Sequence, residues 1–200
     1  MRAPARFAAL LVALAAWIGL AIQYVATARG LKGDVGATLW TLLGFFTIWT
    51  NLGVALIFSA LALGARRARS PLLLGGITLS ILLVGIIYGL LLAGLRHLSG
   101  GAAMADLLLH KVTPLLVPLW WLAFAPRGEL GRTAPWAWAL FPGLYLPYAL
   151  LRGRAEDHYA YPFIDVSKLG LARVLLNALL IGLGFVLAGH SLLWLERRRR

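Results

Sequence analysis

The chain has 200 residues, 61% of them hydrophobic and only 13% charged, with a mean hydropathy of +0.84. A soluble domain carries about 25% charged residues, so this composition excludes an ordinary water-soluble fold and indicates an all-α, polytopic integral membrane protein. The net charge of +12 does not indicate nucleic acid, because the 19 Lys and Arg lie mostly in short loops and at the ends, with no basic helix or aromatic-studded basic sheet to grip phosphates.

Uncharged apolar runs of about 18 residues or more read as transmembrane helices. The first covers 7–28 and follows Arg2 and Arg6. Ala26-Thr27-Ala28 resembles a signal-peptidase site, but 22 uncharged residues exceed the roughly 7–15 of a signal core, so an uncleaved span is expected. The second run, Val35 to Ala65, places a span near 38–62, closed by Arg66, Arg67 and Arg69. The third, 71–95, opens on Pro71, an allowed place for proline at a helix start, and stops at Arg96-His97. The fourth, 105–125, carries Asp106, His110 and Lys111 in its first two turns and ends at Pro126-Arg127. The fifth, 134–151, is rich in Trp, Tyr and Pro, and Pro142 and Pro147 predict kinks that neighbouring helices must satisfy. The longest polar connection, 152–169, leads to a sixth span at 170–194, which runs into Glu196 and four arginines. The expectation is one domain over 1–200, a six-transmembrane-helix bundle.

Six spans put both termini on one side. That side carries Arg2, Arg6, Arg66, Arg67, Arg69, Arg127, Arg132 and Arg197 to Arg200. The other side and its margins carry Arg29, Lys32, Arg96, Lys111, Arg152, Arg154, Lys168 and Arg173. The excess of positive charge places both termini in the cytoplasm, and the terminal arginines read as a stop-transfer and headgroup anchor.

Polar side chains in hydrocarbon are costly and usually face the bundle interior or a site. In span two, Thr47 and Asn51 share a helix face, with Thr50 beside them; such residues also serve as interhelical hydrogen-bonding glue. In span four, Asp106 and His110 are one turn apart, a spacing in which a carboxylate orients an imidazole and raises its basicity. The plainer alternative is an Asp at a wet helix start with a His reaching the interface. Spans two, four and six all begin on the same side, so at 1.5 Å per residue Thr47 lies ~13 Å and His110 ~8 Å below that surface. Asn177 falls at a similar depth. A hydroxyl, an imidazole backed by an acid, and two amides therefore have the chance to converge. The stretch Tyr159 to Val166, with Tyr161 and Asp165, reads either as interfacial anchoring or as a lid over this cluster. His97, His110, His158 and His190 are scattered without metal-ligand spacing, and there are no cysteines, so no metal site is expected. No serine-hydrolase elbow or phosphate loop appears.

Phe46-Thr47-Ile48-Trp49-Thr50-Asn51, Leu108-Leu109-His110-Lys111-Val112-Thr113-Pro114 and Tyr161-Pro162-Phe163-Ile164-Asp165 together resemble motifs of a six-span family related to androgen-induced protein and the androgen-dependent regulator of tissue-factor-pathway inhibitor. The resemblance implies a bacterial inner-membrane member and a hydrolase of fatty acid esters that needs no cofactor. It implies Thr47 as nucleophile and His110 as general base, with Thr50 a rival because the Thr47 match needs a one-residue offset. Asp106 would orient His110, and Asn51 or Asn177 would donate to the oxyanion. Membrane lipids and a lipid-ester substrate are the expected partners. Two other readings stay open: a small transporter or channel lined by Asp106, His110 and Lys111, and a membrane scaffold or assembly protein in which the polar residues only join helices.

Overall fold

A computed structural model describes residues 1–95, 97–126 and 130–198; Arg96, Arg127, Arg199 and Arg200, used above as span stops or in the charge comparison, lie outside them. The described residues form helices and turns without a strand. Helix α1 spans Ala3–Gly30. Helices α2 (Val35–Leu43) and α3 (Phe46–Ala62) follow, then α4 (Pro71–Ile87), which continues as a π-helical turn over Tyr88–Leu92. Helix α5 (Gly100–Leu107) passes through a second π-helical turn, Leu108–Val112, into α6 (Thr113–Phe124). Helix α7 is Ala134–Glu156, α8 is the short Val166–Leu169, and α9 is Leu171–Arg198.

Four of these stretches are long and apolar enough to cross a membrane: Ala3–Gly30, Pro71–Leu92, Gly100–Phe124 and Leu171–Arg198. A fifth is the pair α2 and α3, if the two count as one span. Helix α7 has the length, at 23 residues, but its prolines, tyrosines and arginines make it less apolar than the others. The outward surface suits hydrocarbon: Leu90, Leu144, Leu151 and Leu187 are each about 70% exposed, and only 11% of the apolar stretch of α9 is buried. Such a belt of leucines is far larger than the patches a soluble monomer leaves uncovered.

Helix α1 packs on α3 and on α5 and α6, while α4 lies between α3, α6 and α7, and α9 leans on α7. One end of the bundle is tied by Arg6, whose Nε donates to the Ala62 carbonyl (2.8 Å), and by Trp120, whose indole N–H donates to the Ala5 carbonyl (3.0 Å). Trp138 donates to the Leu72 carbonyl (2.8 Å) at the same end. The starts of α3, α6 and α9 and the ends of α4 and α7 gather at the other.

The second expected span, 38–62, is not one straight helix. It bends by 95° between α2 and α3, with Phe45 extended (φ −106°, ψ 129°). No proline causes the break. It persists because the backbone carbonyls it frees are taken up by side chains. The Leu43 carbonyl accepts from Tyr148 Oη (3.1 Å) and Trp49 Nε1 (2.8 Å), and the Gly44 carbonyl accepts from Tyr145 Oη (2.7 Å). Thr47 consequently stands in the first turn of α3, not two turns into a continuous span, and the depth expected from a straight helix does not apply.

Candidate active site

Thr113-Pro114 shapes the local backbone around His110. Pro114 has no N–H to give the His110 carbonyl four residues before it, and its ring crowds that carbonyl. The helix widens instead, and the Thr113 N–H reaches back five residues to the Leu108 carbonyl. Single π turns of this kind occur often at functional sites. The α4 turn opposite does the same at Tyr88, whose carbonyl accepts from the Ala93 N–H at 2.8 Å. Gly85 lets the two helices close here: a Cβ on it would lie 2.7 Å from Pro114 Cβ.

The result brings Thr47 Oγ1 to 3.4 Å from His110 Nε2. On the other edge of the ring, Nδ1 lies 3.1 Å from Asp106 Oδ1, close but not aligned along the ring N–H. The second carboxylate oxygen accepts from Tyr88 Oη at 2.7 Å and faces Lys111 Nζ at 3.9 Å. The Tyr88 ring lies over the imidazole, with centroids 4.3 Å apart and planes 18° from parallel. Asp106 near Nδ1 favours the tautomer that leaves Nε2 free to accept from Thr47, the arrangement of a hydroxyl nucleophile, a base and an orienting acid. A 3.4 Å separation is long for a hydrogen bond, as unliganded catalytic pairs often are.

Asn51 clamps the pair. Its amide nitrogen donates to the carbonyl of Thr47 (2.9 Å) and to that of Leu109 (3.2 Å), the residue before His110. Its oxygen accepts from Thr113 Oγ1 at 2.7 Å. Asn51 and Thr113 are completely buried, so in a low-dielectric interior this network fixes α3 against α6. With both amide hydrogens engaged, Asn51 has none left for an oxyanion. Asn177 is not brought to the pair: its amide donates to the Phe163 carbonyl at 2.9 Å and holds the loop before α8. The Thr50 hydroxyl is fully buried, makes no hydrogen bond among the described residues, and lies outside the cavity described below.

The stretch containing Tyr161 and Asp165 folds over the site end of the bundle. Tyr161 Oη accepts the backbone N–H of Thr47 at 3.4 Å. Its ring stacks on Phe163 (5.2 Å) and meets Phe45 edge-on (5.8 Å). Burial pushes the Tyr161 phenol above its ordinary value, so the group stays neutral. Asp165 is not aimed at Thr47 or His110. It caps α8, accepting from the Ser167 N–H (3.1 Å) and hydroxyl (2.5 Å) and from the Lys168 N–H (3.3 Å), and pairs with Lys168 Nζ at 3.3 Å. The Ser167 hydrogen bonds, with those of Lys168 and its charge, hold the carboxyl below the usual 3.8.

Thr47 and His110 open on a cavity of about 190 Å³ lined by α4, α7, α9 and the 161–164 turn. Its walls are almost wholly apolar, with Leu83, Ile87, Pro142, Ile181 and Phe185 prominent. Among the described residues no three His, Asp or Glu side chains converge as metal ligands would.

Tyr88 is the site residue that the sequence did not single out. A lone tyrosine near the end of an otherwise aliphatic span was the available signal. Thr113 stood in the sequence only as part of the motif around His110, yet it completes the Asn51 clamp. No protein-family model matches the chain, and no curated protein or solved structure does either.

Proposed function

We propose that this chain is an intramembrane hydrolase of lipid esters, with Thr47 as nucleophile, His110 as general base and Asp106 as the group that orients it. The observation carrying this reading is the file Asp106–His110–Thr47, with His110 Nε2 3.4 Å from Thr47 Oγ1 at the polar end of an apolar cavity. In the first half-reaction His110 Nε2 takes the Thr47 hydroxyl proton as Oγ1 attacks the ester carbonyl. The tetrahedral intermediate collapses, the alcohol leaves with the proton from Nε2, and an acyl-threonine remains. Water then loses a proton to Nε2 and attacks the acyl carbon. The acid departs and Thr47 regains its proton. The oxyanion donor is Tyr161: its oxygen already accepts the Thr47 N–H, leaving its own O–H to turn toward the developing charge. The start of α3 adds the positive end of a helix dipole.

The bundle that holds this site is a six-span one, with α2 and α3 together as the second span and α7 as the fifth. Both termini lie at the end opposite the site and face the cytoplasm, and the membrane is the bacterial inner membrane. The family resemblance noted in the sequence supports the same chemistry.

Purified protein in detergent is expected to react with a fluorophosphonate probe. Thr47→Ala and His110→Ala should abolish labelling, and Thr50→Ala should spare it. Absence of labelling in folded protein, or labelling that survives Thr47→Ala, rejects the assignment.

A further inference from the structure

We infer that the cavity is a pocket for a single acyl chain, whose carbonyl end stands at Thr47, for which Gly143 and Gly182 leave room and whose length Phe185 limits. The position of the carbonyl rests on the hydrolase reading above; the nature of the occupant follows from the walls themselves. Besides Thr47 and His110, the polar side chains in the lining are three tyrosines. Tyr88 Oη is committed to Asp106 and Tyr145 Oη to the Gly44 carbonyl, and Tyr161 stands beside Thr47. Beyond Thr47, His110 and the Tyr161 hydroxyl beside them nothing remains to satisfy a polar ligand, and burying one without partners is costly. A hydrocarbon tail meets no such penalty.

The pocket is also directional. Its polar groups gather at the loop end of the bundle. From there it runs beside α9 from Ala178 to Phe185, about 10 Å at 1.5 Å per residue. Phe185 is 4% exposed and packs among Leu79, Trp138 and Leu193, so it forms a floor. Gly143 on α7 and Gly182 on α9 both lie in the lining, and a Cβ on either would meet nothing within 4 Å. The absence of side chains there makes room. The run from polar end to apolar floor matches the orientation of a membrane lipid, whose ester lies near the headgroups and whose tail points toward the bilayer centre.

The test uses full-length Thr47→Ala protein in phosphatidylcholine vesicles with diazirine-bearing fatty acids of graded length. Irradiation and peptide mapping should place adducts on Ile181, Phe185 and their neighbours in the lining. Gly182→Trp should cut these adducts at least tenfold. Gly143→Leu, on a different helix, should also reduce them and shift the preferred probe to shorter chains. Leu180→Trp, on the outward face of α9 (Leu180 is 59% exposed), should leave them unchanged. Equal yields from Gly182→Trp and Leu180→Trp, or adducts as frequent on the outward face as in the lining, overturn the inference. If the cavity is labelled and Gly182→Trp blocks it while fluorophosphonate never modifies Thr47, the acyl pocket stands and the hydrolase assignment alone fails.

Discussion

Replacing Tyr88 by Phe removes one hydroxyl and little else. The ring remains to stack on His110, and the space left is that of a single oxygen. Asp106 Oδ2 loses the donor at 2.7 Å and keeps only Lys111 Nζ at 3.9 Å. A hydrogen bond to a charged group contributes roughly 1.5–3 kcal/mol. If the bond holds Asp106 in place against His110, its loss should appear in the rate at which Thr47 attacks. At about 1.4 kcal/mol per factor of ten, that is a slowing of about 10- to 150-fold. The assay is the second-order rate constant of fluorophosphonate labelling, measured beside the melting temperature of the same protein. Asp106→Asn should slow labelling at least as much, and the double variant should be far less than additive because both changes act through one contact. A Tyr88→Phe rate within twofold of wild type, in folded protein, would refute the claim that Tyr88 positions the acid.

Gly85→Ala should destabilise the protein by about 1–3 kcal/mol through overpacking, since the new Cβ would meet Pro114 Cβ at 2.7 Å; Gly89→Ala, with nothing within 4 Å, should not, and thermal melts of the two compare them directly. Thr113→Val leaves the buried Asn51 oxygen without its donor, and chemical denaturation should register a loss of about 0.5–2 kcal/mol, small because polar groups find substitutes in a membrane-embedded unfolded state. The lowered Asp165 carboxyl gives a sign for pH: a depressed folded value stabilises the loop above the unfolded 3.8 and loses that contribution as pH falls through the folded value. Hydrogen exchange at Ser167 and Lys168 should therefore quicken only below about pH 4, and Asp165→Ala should show the fast exchange at neutral pH; rates indifferent to both changes count against the cap.

The helices were readable because each depends on local pattern. Long uncharged runs bounded by charged residues mark α1, α4 and α9, and the Asp106–His110 spacing already placed acid and imidazole on one face. What escaped notice depends on residues far apart in the chain. The break at Gly44-Phe45 has no proline to announce it; it holds because Tyr145 and Tyr148, about a hundred residues later, accept the task of satisfying its carbonyls. Asn51 and Asn177 looked alike as amides at similar depth, yet one spans two helices that cross and the other holds a loop. Which carbonyl an amide meets is decided by tertiary packing, and periodicity carries no trace of it. The fifth span was expected over 134–151, and the helix that carries it runs on to Glu156, where Arg152 and Glu156 pair one turn apart (2.6 Å) and Trp40 donates to Glu156 at 2.7 Å. A charged residue there marks the end of the apolar stretch without ending the helix.

The turn at Gly44-Phe45 also bears on the surrounding bilayer. If α2 and α3 make one span, only the 17 residues of α3 run along the crossing, about 25 Å at 1.5 Å per residue, against a hydrocarbon thickness of about 30 Å. In the proposed six-span arrangement, helix α2, bent 95° away from α3, would hold the headgroups low beside Thr47. Lipid accommodates such hydrophobic mismatch by thinning, so the leaflet should dip at the mouth of the cavity. Under the proposed hydrolysis, a dimple of that kind would shorten the route by which water reaches an acyl-threonine while leaving the tail in oil.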